Sequence, residues 1–224
     1  MMGWVAAAVG VVGSSIAWAL IRRGGVSIWW VMPVLYLLLG AAAVLFGDPR
    51  LAEDPRLTGA GPDRWWSVAS QVALGLGVGI VLFAATHVFV RIVGRWRRFA
   101  ADTRAQYAQR LDISVRASVA LTLVALVGEE LYWRGVVQPG LADVAAGVWA
   151  GPVLGAALAW AAYLVANLES RSLPVLAGAA VAGGSWAVLP LLTGGIAASI
   201  CCHAAWTVLM LLLPPRVERG MMAP

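Results

Sequence analysis

Apolar runs of about twenty residues follow one another from end to end of this 224-residue chain, and that succession constrains its fold more than any other feature. A bilayer core of ~30 Å is crossed by ~20 mostly apolar helical residues, so each run is long enough to span. The runs cover residues 2–21, 28–46, 67–90, 113–137, 150–168 and 195–213. A further run, 172–194, is interrupted by Gly183, Gly184 and Pro190 and reads either as one broken span or as two half-helices. With 61% hydrophobic and 12% charged residues, the composition excludes an ordinary water-soluble domain, which is nearer a quarter charged. The expected fold is all-α: a polytopic transmembrane helix bundle of about seven spans, a single membrane domain over 1–224 with its first three spans in 1–93.

The charges sit between the runs. The net charge of +5 comes from sixteen Arg and no Lys, and Arg between spans serves membrane orientation rather than nucleic acid, so membrane lipids are the expected surroundings and nucleic acid is not an expected partner. Arg22 and Arg23 follow the first run instead of preceding it, as in a retained span rather than a cleaved signal. Residues 47–66, rich in Pro, Gly and charge, read as an exposed loop ending in an interfacial anchor, Trp65 and Trp66. Gly75, Gly77 and Gly79 suggest close helix contact in the third span. Residues 91–116 carry seven Arg against Asp102 and Asp112; this cytoplasmic stretch either lies along the anionic membrane surface or is a solvated loop. Glu169 and Arg171 mark a second cytoplasmic turn, and Arg216 and Arg219 follow the last span. Seven spans put the first residue outside, the last inside, and each Arg cluster on the cytoplasmic side. Cys201 and Cys202, adjacent in an apolar run, read as small core residues.

Three charges remain within clearly apolar spans: Glu129, Glu130 and Arg134. Each costs ~2.5–3.5 kcal/mol near the bilayer centre, so such groups face an interior site and need partners. Glu130 and Arg134 stand at i and i+4 with the acid first, the favoured order for a helical ion pair. Glu129 is turned ~100° away and has no cation one turn on. A low-dielectric cavity opposes its charge while Arg134 supports it, and these opposing pulls suit a general base. The same acids could instead bind helices together or line an ion path. His203 and Thr207 form a polar stripe in the last span, and Tyr163 and Asn167 share the i, i+4 spacing in the fifth, facing either the site or the membrane edge. His87 reads as interfacial. Two His and no spaced Asp or Cys cluster give no persuasive metal site, and no cofactor motif is present.

Taken in order, Glu-Glu-x-x-x-Arg, an aromatic-x-x-x-polar pair and His-x-x-x-polar resemble the three motifs of the CPBP family, the CAAX-protease and bacteriocin-processing membrane proteins that include the Rce1-type glutamic intramembrane endopeptidases. The resemblance covers residues 110–213 and implies a catalytic core there. It places the catalytic Glu on Glu129, the companion Glu and Arg on Glu130 and Arg134, and the oxyanion-stabilising His on His203. Two positions depart from the pattern: Asn167 replaces the His that helps Glu activate water, and Thr207 replaces an Asn, while Tyr163 stands for the usual Phe. Asn cannot take a proton from water, whereas Thr still donates a hydrogen bond.

The resemblance thus implies a metal-independent endopeptidase of the inner (plasma) membrane of a bacterial cell, acting on a peptide or lipid-modified protein near its C-terminus during maturation or sorting. A noncatalytic membrane adaptor or a proton-coupled carrier using the same acids is the competing expectation.

Overall fold

The structure, a computed structural model, describes residues 2–58, 66–145 and 150–215, and every regular element among them is a helix. Helices α1 (Met2–Arg22) and α2 (Ile28–Phe46) are followed by a short α3 (Pro55–Thr58), then α4 (Val68–Val93), α5 (Arg97–Ala108) and α6 (Val115–Tyr132). Next come α7 (Gln138–Val144), α8 (Gly151–Asn167), α9 (Leu173–Thr193) and α10 (Ala197–Leu212). Five of them (α1, α2, α4, α8 and α9) are long and apolar enough to cross a membrane, and α10 is apolar but shorter. Helix α6, with Arg116, Glu129 and Glu130, completes a bundle of about seven spans. Large apolar side chains such as Phe46, Val81, Ile92 and Leu192 are exposed on its outer faces, the inverse of a water-soluble surface and the pattern that hydrocarbon selects.

At several places the chain departs from the sequence expectations or decides between them. Residues 173–193 form one continuous helix, not two halves. Pro190 falls in its last turn, and Gly194, at φ 73, ends it in the left-handed conformation that glycine tolerates. The fourth span does not stop at Val137: a wide π turn, Trp133–Val137, leads straight into α7. Proline lacks an N–H and crowds the carbonyl four residues back, so an expanded turn just before Pro139 admits it without breaking the helix.

Residues 47–58 are not simply an exposed loop. Asp54 and Leu57 are buried, and the Arg50 and Leu51 carbonyls accept the backbone N–H groups of Ile196 (3.2 Å) and Ala197 (3.1 Å), capping the start of α10. The Asp54 N–H donates to Gly194 O at 2.6 Å, and Gly195 touches Leu51 so closely that a side chain there would strike its carbonyl. On the outer side the Arg50 guanidinium, hydrogen-bonded to Asp48, holds that carboxyl below its ordinary range. Trp66 is partly exposed, as an interfacial anchor would be; Trp65 lies outside the described residues.

Of the two readings of the Arg-rich stretch, the amphipathic one agrees with the structure and the loop does not. Helix α5 buries Phe99, Ala100 and Thr103 against the bundle and exposes Arg97, Arg98 and Arg104. Asp102 Oδ2 accepts the Leu173 N–H at 3.0 Å, capping α9, and Trp29 donates to Gln109 O at 2.6 Å. With the Arg22–Glu169 ion pair at 2.7 Å, these ties gather the Arg-bearing turns at one end of the bundle. Arg216 and Arg219 lie outside the described residues.

Glycines set the helix contacts that place the site. Gly75 and Gly79 of α4 lie on the backbone of α10 at Ala198 and Cys202, whereas Gly77, expected to join them, faces open space. A period of four, not two, puts residues on one helix face. Cys202 is buried in this contact. Across the bundle, Gly128 of α6 lies on the Tyr36 backbone of α2, and a Cβ at Gly40 would stand 2.6 Å from the Gly128 Cα. Only a glycine pair permits so close a crossing, and it seats the following residue, Glu129, deep in the bundle.

Candidate active site

Three helices and the π turn bring the expected polar residues together: α6 contributes Glu129 and Glu130, the π turn Arg134, α8 Tyr163 and Asn167, and α10 His203 and Thr207. Glu130, Arg134 and His203 are all buried. A buried charge persists only where it is paired and hydrogen-bonded, so their contacts decide what each can do.

The ion pair expected between Glu130 and Arg134 is only part of the arrangement. Arg134 Nε stands 3.8 Å from Glu130 Oε2, beyond hydrogen-bond range, while an Arg134 terminal nitrogen donates to Gly183 O at 2.8 Å. The guanidinium carbon lies 4.9 Å from the Tyr163 ring centre and 5.9 Å from that of Trp186, within cation–π reach of both. Glu130 takes its hydrogen bond from elsewhere: His203 Nδ1 donates to its Oε1 at 2.9 Å. The imidazole is held on its face as well, stacked on Trp186 with ring centres 3.5 Å apart and planes 16° from parallel. Edge and face contacts together leave this ring little freedom.

Glu129 is arranged differently. Its Oε1 is buried with no hydrogen-bond partner among the described residues, and so is the Thr207 hydroxyl. The Tyr163 side chain lies beside the carboxylate. Glu129, Tyr163, Asn167, His203 and Thr207 all line one cavity of ≈ 450 Å³. It extends past Thr86, Trp206 and Val175 to Trp29, Phe99 and Gln109 at the Arg-bearing end. Its deep end is polar and its approach largely apolar and aromatic. Buried polar atoms without partners are costly, and here the residues that carry them line a space large enough for water and a chain segment.

Asn167 is less free than the sequence suggests. Its Oδ1 accepts the Trp18 indole N–H at 3.1 Å, and its Nδ2 donates to Tyr163 O at 2.9 Å. Helices α1 and α2 therefore supply part of the site: Trp18, Trp29, Met32 and Tyr36 all line the cavity. No motif marks them, since an aromatic residue in an apolar span looks the same whether it faces lipid or a cavity. Trp186 was missed for the same reason, and Gly183 was read only as an interruption of its span, not as the carbonyl that receives Arg134. His87 is apart from the site, half-buried against Phe83. Among the described residues no three His, Cys, Asp or Glu are placed to hold a metal ion.

Residues 112–209 match a family model described as type II CAAX prenyl endopeptidase Rce1-like. No curated protein and no solved structure matches the chain.

Proposed function

We propose that this chain, whose residues 112–209 match the Rce1-like model of a family of intramembrane proteases, is an endopeptidase that works with water activated by Glu129. One observation carries the reading: Glu129 and Thr207, each with a buried oxygen that has no partner among the described residues, line the same cavity as the clamped imidazole of His203.

In the proposed reaction Glu129 takes a proton from a water whose oxygen attacks a peptide carbonyl carbon. The resulting oxyanion receives hydrogen bonds from His203 Nε2–H and Thr207 Oγ–H. As the C–N bond breaks, Glu129 returns the proton to the amine nitrogen, giving a new carboxyl and a new amine terminus. Because Nδ1–H is committed to Glu130, a donor at Nε2 requires the imidazolium. Charge balance favours that state: two carboxylates, Arg134 and an imidazolium sum to zero within the buried cluster. Glu130 and Arg134 hold the shape of the site, and Asn167 contributes to placing the water or the substrate.

The substrate class proposed is a segment near the C-terminus of a membrane-tethered or exported protein, including a lipid-modified one. The apolar, aromatic approach from the Arg-bearing end suits such a segment. The test is to reconstitute the protein in vesicles with a prenylated peptide ending in a CAAX sequence and to weigh the products. The wild type releases the C-terminal fragment and Glu129→Gln does not. Cleavage that survives in Glu129→Gln rules out the mechanism; a proton flux abolished by the same change would favour a carrier.

A further inference from the structure

Position 167 is where the family resemblance expects a histidine, and the neighbour that touches it, Trp18, comes from outside the matched segment. An indole N–H only donates and a backbone carbonyl only accepts. With Trp18 at Oδ1 and the Tyr163 carbonyl at Nδ2, a flipped amide would set N–H against N–H and oxygen against oxygen. The amide has a single orientation. Both partners sit in packed helices, and Asn167 is 5% exposed, so the arrangement is not a surface accident.

We infer that Trp18 is a positioning residue that fixes the polarity of the site at 167: its N–H occupies the acceptor end of the side chain, and the remaining N–H of Asn167 is the group offered to a substrate carbonyl or a water lone pair. The inference rests on the proteolytic reading for its meaning, but the contact itself does not. It also explains why asparagine suits this chain. An imidazole at 167 would meet the same donor, and the ring nitrogen receiving the indole N–H must be the bare one. The other nitrogen would then carry the proton in the neutral ring and face the cavity as a donor, with no lone pair for water. Trp18 and a histidine base at 167 are therefore incompatible, while Trp18 and asparagine are matched.

The test compares Asn167→His, Trp18→Phe and the double variant in vesicles, each with ¹⁵N-labelled histidine and with the prenylated peptide as probe. In Asn167→His the new ring is expected in one neutral tautomer, and the pH–rate profile gains no limb near neutrality. In the double variant the tautomers mix, a limb near neutrality appears, and the rate rises at least about tenfold over Asn167→His, as a recovered general base provides. Equal tautomer ratios in the two histidine variants, or an equal gain without the Trp18 change, would overturn the inference. Should no form, wild type included, cleave the peptide, the proteolytic reading fails on its own, and the tautomer spectra still decide the role of Trp18.

Discussion

His203 and Glu130 are 73 residues apart in the chain, yet a 2.9 Å hydrogen bond joins them, and the acid so engaged is the neighbour of the one assigned to water. Two adjacent carboxylates thus have different surroundings. Glu130 is fully buried and holds the imidazole, whereas Glu129 lines the cavity and has an oxygen without a partner among the described residues.

The two acids should respond unequally to the same substitution. Glu130→Gln removes the buried carboxylate that stands between Arg134 and His203, and breaking a buried pair in this way costs ~3–5 kcal/mol. Its thermal midpoint in detergent should fall clearly, with cleavage lost. Glu129→Gln removes a carboxylate whose Oε1 has no hydrogen-bond partner among the described residues, so its midpoint should fall less than that of Glu130→Gln while cleavage is equally lost. Matching melting losses would contradict the division of roles.

Thr207→Val keeps the shape and removes the donor. If the hydroxyl meets an oxyanion, kcat should drop ~10²–10³-fold with KM nearly unchanged, and Thr207→Asn should restore much of the rate. The melt should not suffer, since Oγ1 has no protein partner among the described residues. A purely structural Thr207 would show the reverse: a weaker fold and an unaltered kcat.

The α2–α6 crossing predicts a sharp contrast among glycines. A methyl at Gly128 would collide with the Tyr36 carbonyl, so Gly128→Ala should cost ~1–3 kcal/mol and displace Glu129. Gly77→Ala meets nothing within 4 Å and should be neutral or mildly stabilising. Parallel melts and product assays on the two variants check both halves of the statement.

Asp54→Ala should loosen the segment that caps α10. It removes the carboxylate that binds Arg56 at 2.7 Å and leaves buried backbone less well held, a loss of ~1–3 kcal/mol. Faster amide exchange at Ile196 and Ala197 is the expected readout. Asp48, whose carboxyl is depressed by its hydrogen bond to Arg50, adds a sign to the pH dependence. A depressed acid stabilises above its unfolded value, 3.8, and loses that effect as pH falls through the lower folded one. Its contribution to exchange at these amides should therefore stay flat from neutrality down to that range and change only below it.

The spans were legible because hydrocarbon imposes one rule on every residue it touches, and a twenty-residue apolar run satisfies it visibly. Glu129, Glu130 and Arg134 stood out for the same reason, as exceptions to that rule. Partner choice was not legible. Helical spacing offered Glu130 only Arg134, because an i, i+4 relation is written in the chain and the contact with His203 is a matter of tertiary packing. The glycines show the limit too: alternate placement of Gly75, Gly77 and Gly79 announces closeness but not which of them is used. Trp18 and Trp186 left no trace, since nothing in an apolar helix labels the face turned inward. The folding-back of residues 47–58 was hidden because polar composition reports contact with water or with backbone groups alike.

The segment that closes over the start of α10 also fixes a height. His203 lies less than two turns below the tethered residues Ile196 and Ala197, so the loop works as a plumb line for the imidazole. A shift of α10 along its own axis would have to break these backbone bonds together with the His203–Glu130 contact, so the height of the ring is held from both ends.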